Sequence, residues 1–152
     1  MIEVEIHDNF LEDPGYYIDF ANQCKFYTHD EHREKTGRHE GWPGLRTLDL
    51  KKDLPDLVNK LNSSFNIRVG RLNFYRHPMS KFEHMIEGKD HIDAAWQFSG
   101  VIYLQGSNGT VIGGKEVPFE FNRCVCFDAH TPHHPTYGDS ERLVITFFSD
   151  LA

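Results

Sequence analysis

Residues 66–149 are cut into short apolar runs rich in β-branched and aromatic side chains, each too brief for a helix and each closed by turn chemistry. Ile67, Val69, Leu72 and Phe74 predict one or two strands ending near Tyr75, where Arg76-His77-Pro78 breaks the run. Next come Gly100-Val101-Ile102-Tyr103-Leu104, a turn at Gly106-Ser107-Asn108-Gly109, and a short strand Thr110-Val111-Ile112. A hairpin-like turn at Gly113-Gly114-Lys115 leads into Val117-Pro118-Phe119-Glu120-Phe121. Cys124-Val125-Cys126-Phe127, a polar loop and Leu143-Val144-Ile145-Thr146-Phe147-Phe148 complete the series. Upstream the texture is helical. After a short opening strand over Val4–His7, Asp13-Pro14 starts a stretch with Tyr17, Ile18, Ala21, Cys24 and Lys25 at helical spacing. A second helix is predicted over residues 54–65, with Asp53 as N-cap and Leu54, Leu57, Val58, Leu61 and Phe65 on one stripe; Gly41-Trp42-Pro43-Gly44 between the helices is turn chemistry. Helices over about 13–65 and strands over about 66–149 predict one domain over 1–152. Its class is α+β, mainly β, with the N-terminal helices packed on one side of a jelly roll or small barrel.

Composition narrows the function. With 16 Lys and Arg against 23 Asp and Glu the net charge is −7, so the surface repels phosphate backbones and a nucleic-acid partner is disfavoured. Arg68, Arg71 and Arg76 alternate with apolar residues and read as one mixed strand face, not a basic patch. Cys24, Cys124 and Cys126 are odd in number, and the last two sit at i and i+2 on one strand, a poor geometry for bridging. Reduced thiols and a cytoplasmic location are expected. The first eight residues lack a basic segment and a long apolar one, so no signal peptide is read there, and no run approaches the ~20 apolar residues of a membrane span.

Within the strand series, His91-Ile92-Asp93 has a metal-ligand form, because residues i and i+2 of an extended chain point the same way. His29-Asp30-Glu31 and His32-Arg33-Glu34 share that form but lie in the polar stretch 28–40, which reads as a solvated loop. A third ligand must come from elsewhere, and the loop Phe127-Asp128-Ala129-His130-Thr131-Pro132-His133-His134-Pro135 offers three histidines. His133 is preferred: Pro132 restrains the chain before it, and Arg142, nine residues on, suits a clamp at the start of a neighbouring antiparallel strand. His134 and His130 are the alternatives. Two imidazoles and one carboxylate cover one face of an octahedral Fe(II) and leave three positions open, for a chelating co-substrate and dioxygen.

In family order, His91-Ile92-Asp93, Gly100-Val101-Ile102-Tyr103-Leu104, Gly109-Thr110, Arg123-Cys124-Val125-Cys126-Phe127-Asp128 with Pro132-His133, and Arg142-Leu143-Val144-Ile145-Thr146-Phe147-Phe148 resemble the Fe(II) and 2-oxoglutarate-dependent oxygenases. The resemblance spans roughly residues 72–149 and is nearest the small prolyl-4-hydroxylase-like branch; Leu72-Asn73-Phe74-Tyr75 is also similar to the Asn-x-Tyr of the alkylated-base demethylases. It implies a double-stranded β-helix core, with Fe(II) held by His91, Asp93 and His133. It implies 2-oxoglutarate as co-substrate, its far carboxylate on Arg142, with Tyr103 or Tyr75 donating to the same end, Asn73 assisting and Thr146 lining the pocket. O2 is then consumed, succinate and CO2 are released, and ascorbate serves as reductant. Trp96 and the loop 78–89 become lid candidates. Arg46 either faces the pocket or belongs to a turn packing Trp42 on the sheet. The implied substrate is an amino acid or a peptidyl residue, proline foremost, so the partner is a small molecule or a protein, and the assembly a monomer or small homo-oligomer. Two other readings use the same residues: a cupin-like metal enzyme, which does not need Arg142, and a binding module whose histidines, with His130 or His134, close around structural zinc.

Overall fold

A computed structural model describes residues 4–36, 44–77, 90–136 and 140–152. The opening strand β1 (Val4–His7) is followed by α1 (Pro14–Gln23), whose N-cap Asp13 accepts from the Tyr16 amide at 3.2 Å and whose first turn carries Pro14. The polar stretch expected as a loop instead forms α2 (His29–Thr36). Thr28 and Glu31 build a capping box, the Thr28 hydroxyl accepting from the Glu31 amide at 3.3 Å and the Glu31 carboxylate from the Thr28 amide at 3.0 Å. The short strand β2 (Leu45–Arg46) precedes α3 (Pro55–Phe65), which is capped by Leu54 rather than Asp53: Pro55 sets the first turn, and Asn66 ends the helix in the left-handed region at φ 53°.

The strands are β3 (Ile67–His77), β4 (Phe98–Gln105), β5 (Thr110–Ile112), β6 (Lys115–Val117), β7 (Cys124–Asp128), β8 (His133–Pro135) and β9 (Arg142–Leu151). Several boundaries differ from the sequence expectation. β3 is one strand that passes Tyr75 and reaches His77, with an irregularity between Val69 and Arg71. β6 stops at Val117, since Pro118 has no N–H to donate to a ladder. The polar loop after β7 contains β8. A six-stranded antiparallel sheet, ordered β1-β7-β4-β9-β3-β2, faces a three-stranded one ordered β6-β5-β8. These are the two sheets of the jelly roll that the sequence predicts.

Strand alternation divides the core in two. On one face of the large sheet Leu72, Phe74, Ile102, Leu104, Leu143, Ile145 and Phe147 pack against Ala21 of α1 and Leu57 and Leu61 of α3. Gly100 belongs here, because a Cβ at that position would fall 1.9 Å from the Phe147 ring. On the opposite face Val101, Tyr103, Val125, Phe127 and Val144 meet Ile112 and Val117 of the small sheet. All three cysteines are free, and Cys124 and Cys126 lie buried on the helix side. Burial raises every one of these thiols, Cys126 to about 12, so at pH 8 they stay protonated and poorly nucleophilic. At that pH iodoacetamide should label half-buried Cys24 first and reach Cys124 and Cys126 only after denaturant is added, as peptide mass spectrometry will read. Among the described residues no helix is long and apolar enough to cross a membrane.

Candidate metal centre

Register sorts the inner face of the large sheet into rows running across the strands. Phe127, Ser99, Phe148 and Arg71 form one row; Val125, Val101, Thr146 and Asn73 the next; Tyr103, Val144, Tyr75 and Arg46 a third; Arg142 pairs with His77 beyond them. The first row carries the acid side of the site, since the Ser99 hydroxyl donates to Asp93 Oδ2 at 2.6 Å. Backbone bonds deliver the other parts. His91 and His133 exchange both amide-to-carbonyl bonds, at 2.9 and 3.0 Å, and the Asp93 amide donates to the Ala129 carbonyl at 2.9 Å. His91 and Ile92 are both exposed and Asp93 is half-buried, and of the three only His91 takes part in a β-bridge.

His91, Asp93 and His133 thereby form the one group among the described residues whose ligand atoms all lie within 4.8 Å of one another. His133 Nε2 is 3.0 Å from Asp93 Oδ2, and His91 Nε2 is 3.8 Å from Asp93 Oδ1. His133 is buried, with the Phe127 ring edge-on at 4.8 Å and the His91 ring at 4.3 Å between centroids. Its Nδ1 lies 2.7 Å from the Thr131 carbonyl, which can only accept, so Nδ1 carries the proton. A neutral His133 then turns a lone pair from Nε2 onto a carboxylate oxygen, and a cation, proton or metal ion, must lie between the two. This outer-shell bond is the arrangement that fixes a metal-binding imidazole. Burial pushes the Asp93 carboxyl up, but a hydrogen bond from His133, made when a proton sits between Nε2 and Oδ2, and one from Ser99 outweigh it and leave the group below the usual carboxylate range. Although the His91 side chain is half exposed, desolvation of its ring beside the site, then the neighbouring His133, lowers it below the ordinary imidazole value, against the opposing pull of Asp93. Both shifts favour the deprotonated, ligand-competent form. Two nitrogens and one oxygen in this arrangement suit a ferrous ion.

The loop histidines separate cleanly. His134 follows His133 along β8, points the other way and brings Nδ1 to 2.7 Å from Asp90 Oδ1, whereas His130 is exposed and its amide donates to Asp128. The reason offered for His133 from sequence is corrected, however. β8 pairs with β5 in the small sheet and is no neighbour of β9, so His133 and Arg142 stand on different sheets.

Arg142 is buried at the start of β9, its Nη2 donating to the Gly109 carbonyl and the Thr110 hydroxyl at 3.4 Å each, its Cζ 5.7 Å from the centre of the Tyr103 ring. The Tyr103 and Thr110 hydroxyls are 2.7 Å apart. Burial raises the Tyr103 hydroxyl, with Arg142 and Thr110 pulling against it, so it stays a donor at neutral pH. Tyr75, Asn73 and Thr146 share this face by register; Tyr75 packs its ring against Gly44, and Asn73 Nδ2 donates to the Thr47 carbonyl at 2.8 Å. Arg46 is buried on the same face, opposite Tyr75. Trp42 and the loop 78–89 lie outside the described residues, while Trp96 packs on Gly70, where a Cβ would fall 2.2 Å from the indole. Sequence reasoning missed Ser99 and Thr131, which no local signal marks, and did not see that Thr110 joins Tyr103 to Arg142.

No protein-family model matches the chain, and no curated protein sequence is significantly similar to it. Solved structures are. A non-heme alpha ketoglutarate dependent epimerase, SnoN from nogalamycin biosynthesis, matches with a TM-score of 0.63 and 14% identity over 98% of this chain and 78% of the other. A Pseudomonas putida prolyl-4-hydroxylase matches with 0.59 and 16% over 98% of this chain and 92% of its own. A prolyl hydroxylase from Trichoplax adhaerens, in complex with a hypoxia inducible factor oxygen degradation domain peptide fragment, matches with 0.58 and 16% over 96% and 82%. Two facing antiparallel sheets of this topology, with helices on the outer face of the larger, are therefore the jelly-roll fold of the 2-oxoglutarate and Fe(II) oxygenases.

Proposed function

We propose that the chain is an Fe(II)- and 2-oxoglutarate-dependent dioxygenase that hydroxylates a C–H bond of an amino-acid or peptidyl substrate. The observation that carries this is the meeting of His133 Nε2 and Asp93 Oδ2 at 3.0 Å, on the same sheet face as a buried arginine. His91, Asp93 and His133 would hold the metal. Bound there, Fe(II) supplies the open positions at which 2-oxoglutarate and O2 react and the oxidising power for C–H cleavage. Arg142 takes the far carboxylate through charge-assisted hydrogen bonds, and the Tyr103 hydroxyl, set by Thr110, donates to the same group. Thr146, Val144 and Val101 form the floor between clamp and metal and keep water out. One O2 and one 2-oxoglutarate are consumed for each hydroxylated carbon, with release of succinate and CO2. Two of the similar structures are prolyl hydroxylases, and from them a prolyl substrate is the reading carried over to this chain.

Anaerobic addition of 2-oxoglutarate to the Fe(II)-loaded protein should give a weak visible charge-transfer absorption and raise the melting temperature. If folded protein shows neither, the proposal is wrong. A cupin-like enzyme keeps its metal and ignores the keto acid, and a zinc-binding module offers no open position to it.

A further inference from the structure

The three candidate ligands are not supported alike. Asp93 is held by the Ser99 hydroxyl and by its amide bond to Ala129, and buried His133 by the Thr131 carbonyl. His91 is exposed, and among the described residues no group bonds its Nδ1. A metal-binding imidazole is normally oriented by what its second nitrogen donates to, so the place of His91 depends on its backbone. That backbone is tied to β8 by one isolated antiparallel bridge, the two amide-to-carbonyl bonds with His133. On one side of the bridge Pro135 has no N–H with which to extend the ladder. On the other side the Thr131 and Asp93 amides are engaged with the Asp128 and Ala129 carbonyls instead.

One further tie crosses this gap. Asp90 and His134 are the next pair in the same antiparallel register, and His134 Nδ1 lies 2.7 Å from Asp90 Oδ1. A carboxylate only accepts, so the imidazole donates. Asp90 precedes one candidate ligand and His134 follows another, so this bond closes directly beside the bridge that carries both imidazoles. We infer that Asp90 and His134 are a positioning pair, whose hydrogen bond holds the His91 segment against β8 and so keeps His91 in place as a ligand. Neither is itself a ligand. The inference rests on the proposed metal-holding role of His91, Asp93 and His133. Without the pair, the exposed imidazole leaves first and the ion follows it.

The test follows release of Co(II) from the whole chain, loaded anaerobically and mixed with excess EDTA, by the decay of the Co(II) absorption. Asp90→Ala and His134→Ala should each speed release about fivefold, the scale of one cross-strand pair, with one ion still bound per chain. The double variant should release no faster than either single one, because both changes remove the same bond. Asp90→Asn keeps an oxygen that accepts from His134 and should return release to within about twofold of the unaltered protein. In both alanine variants the melting temperature of the Co(II)-loaded protein should fall further than that of the metal-free protein, since the lost contact acts through metal binding. Unchanged release in both single variants overturns the inference, as do additive effects or equal acceleration by Asp90→Asn and Asp90→Ala. Equal falls in the two melting temperatures, the mark of general support for the fold, overturn it as well. All of these leave the oxygenase reading standing, which the response to 2-oxoglutarate decides. If the unaltered protein binds no Co(II), both fall together.

Discussion

Asp93→Ala abolishes Fe(II) binding at micromolar metal and, with it, all succinate release. Asp93 stands between the two imidazoles, 3.0 Å from one and 3.8 Å from the other, and is the only anionic member of the group. Without it two neutral nitrogens remain, and the charge that offsets the dehydration of a divalent ion is gone. The loss should exceed the roughly 10–100-fold that removal of an outer-shell partner costs in metal affinity. Ser99→Ala removes such a partner and should fall inside that range, its hydroxyl being 2.6 Å from Asp93 Oδ2. His134→Ala marks the other limit: that imidazole is engaged with Asp90, so metal stoichiometry should stay at one. Equilibrium dialysis against Fe(II) or Co(II) ranks the three variants. Equal loss in all of them would mean that the ligand set has been assigned to the wrong side chains.

Arg142→Ala should raise the 2-oxoglutarate Kd by about 10–150-fold, the equivalent of ~1.5–3 kcal/mol for hydrogen bonds to a charged group, and leave metal affinity nearly unchanged. The guanidinium is buried, lies beside the Tyr103 ring and reaches the Thr110 hydroxyl, so a carboxylate bound there would be desolvated and the interaction poorly screened. Arg142→Lys is not a conservative rescue, because an ammonium lacks the fork that grips both carboxylate oxygens. Thr110→Val should have a smaller effect in the same direction, releasing the Tyr103 hydroxyl from its partner without removing the charge. Isothermal calorimetry on the metal-loaded protein reads both. Loss of metal in Arg142→Ala would show that the side chain supports the fold near the site rather than the co-substrate.

Much of the architecture was legible because its causes are local. Continuous runs of β-branched and aromatic residues marked β4, β7 and β9, and Asp13-Pro14 marked α1. Where local cues misled, a specific competitor prevailed. The polar stretch after Tyr27 lacks an apolar stripe, yet the Thr28 and Glu31 capping box nucleates α2. Asp53 is a good N-cap residue by type, but Pro55 already sets the first turn one residue after Leu54. β8 has the composition of a loop, and pairing with β5 and His91 makes it a strand.

Sequence by itself determined the inventory of donors: a His-x-Asp pair before an apolar strand, a histidine-rich turn after another, and an arginine at the head of a third. Alternation also set Arg142 and Thr146 on one side of β9, since that depends only on the geometry of neighbouring peptide units. Tertiary structure alone decided which of three loop histidines meets Asp93, because the choice is made by the backbone bonds between His133 and His91, partners far apart in the chain. It alone turned Ser99, Thr131 and Thr110 into supports and set Asp90 against His134. Those outcomes depend on register across strands and on the approach of two sheets, and no short stretch of residues carries that information.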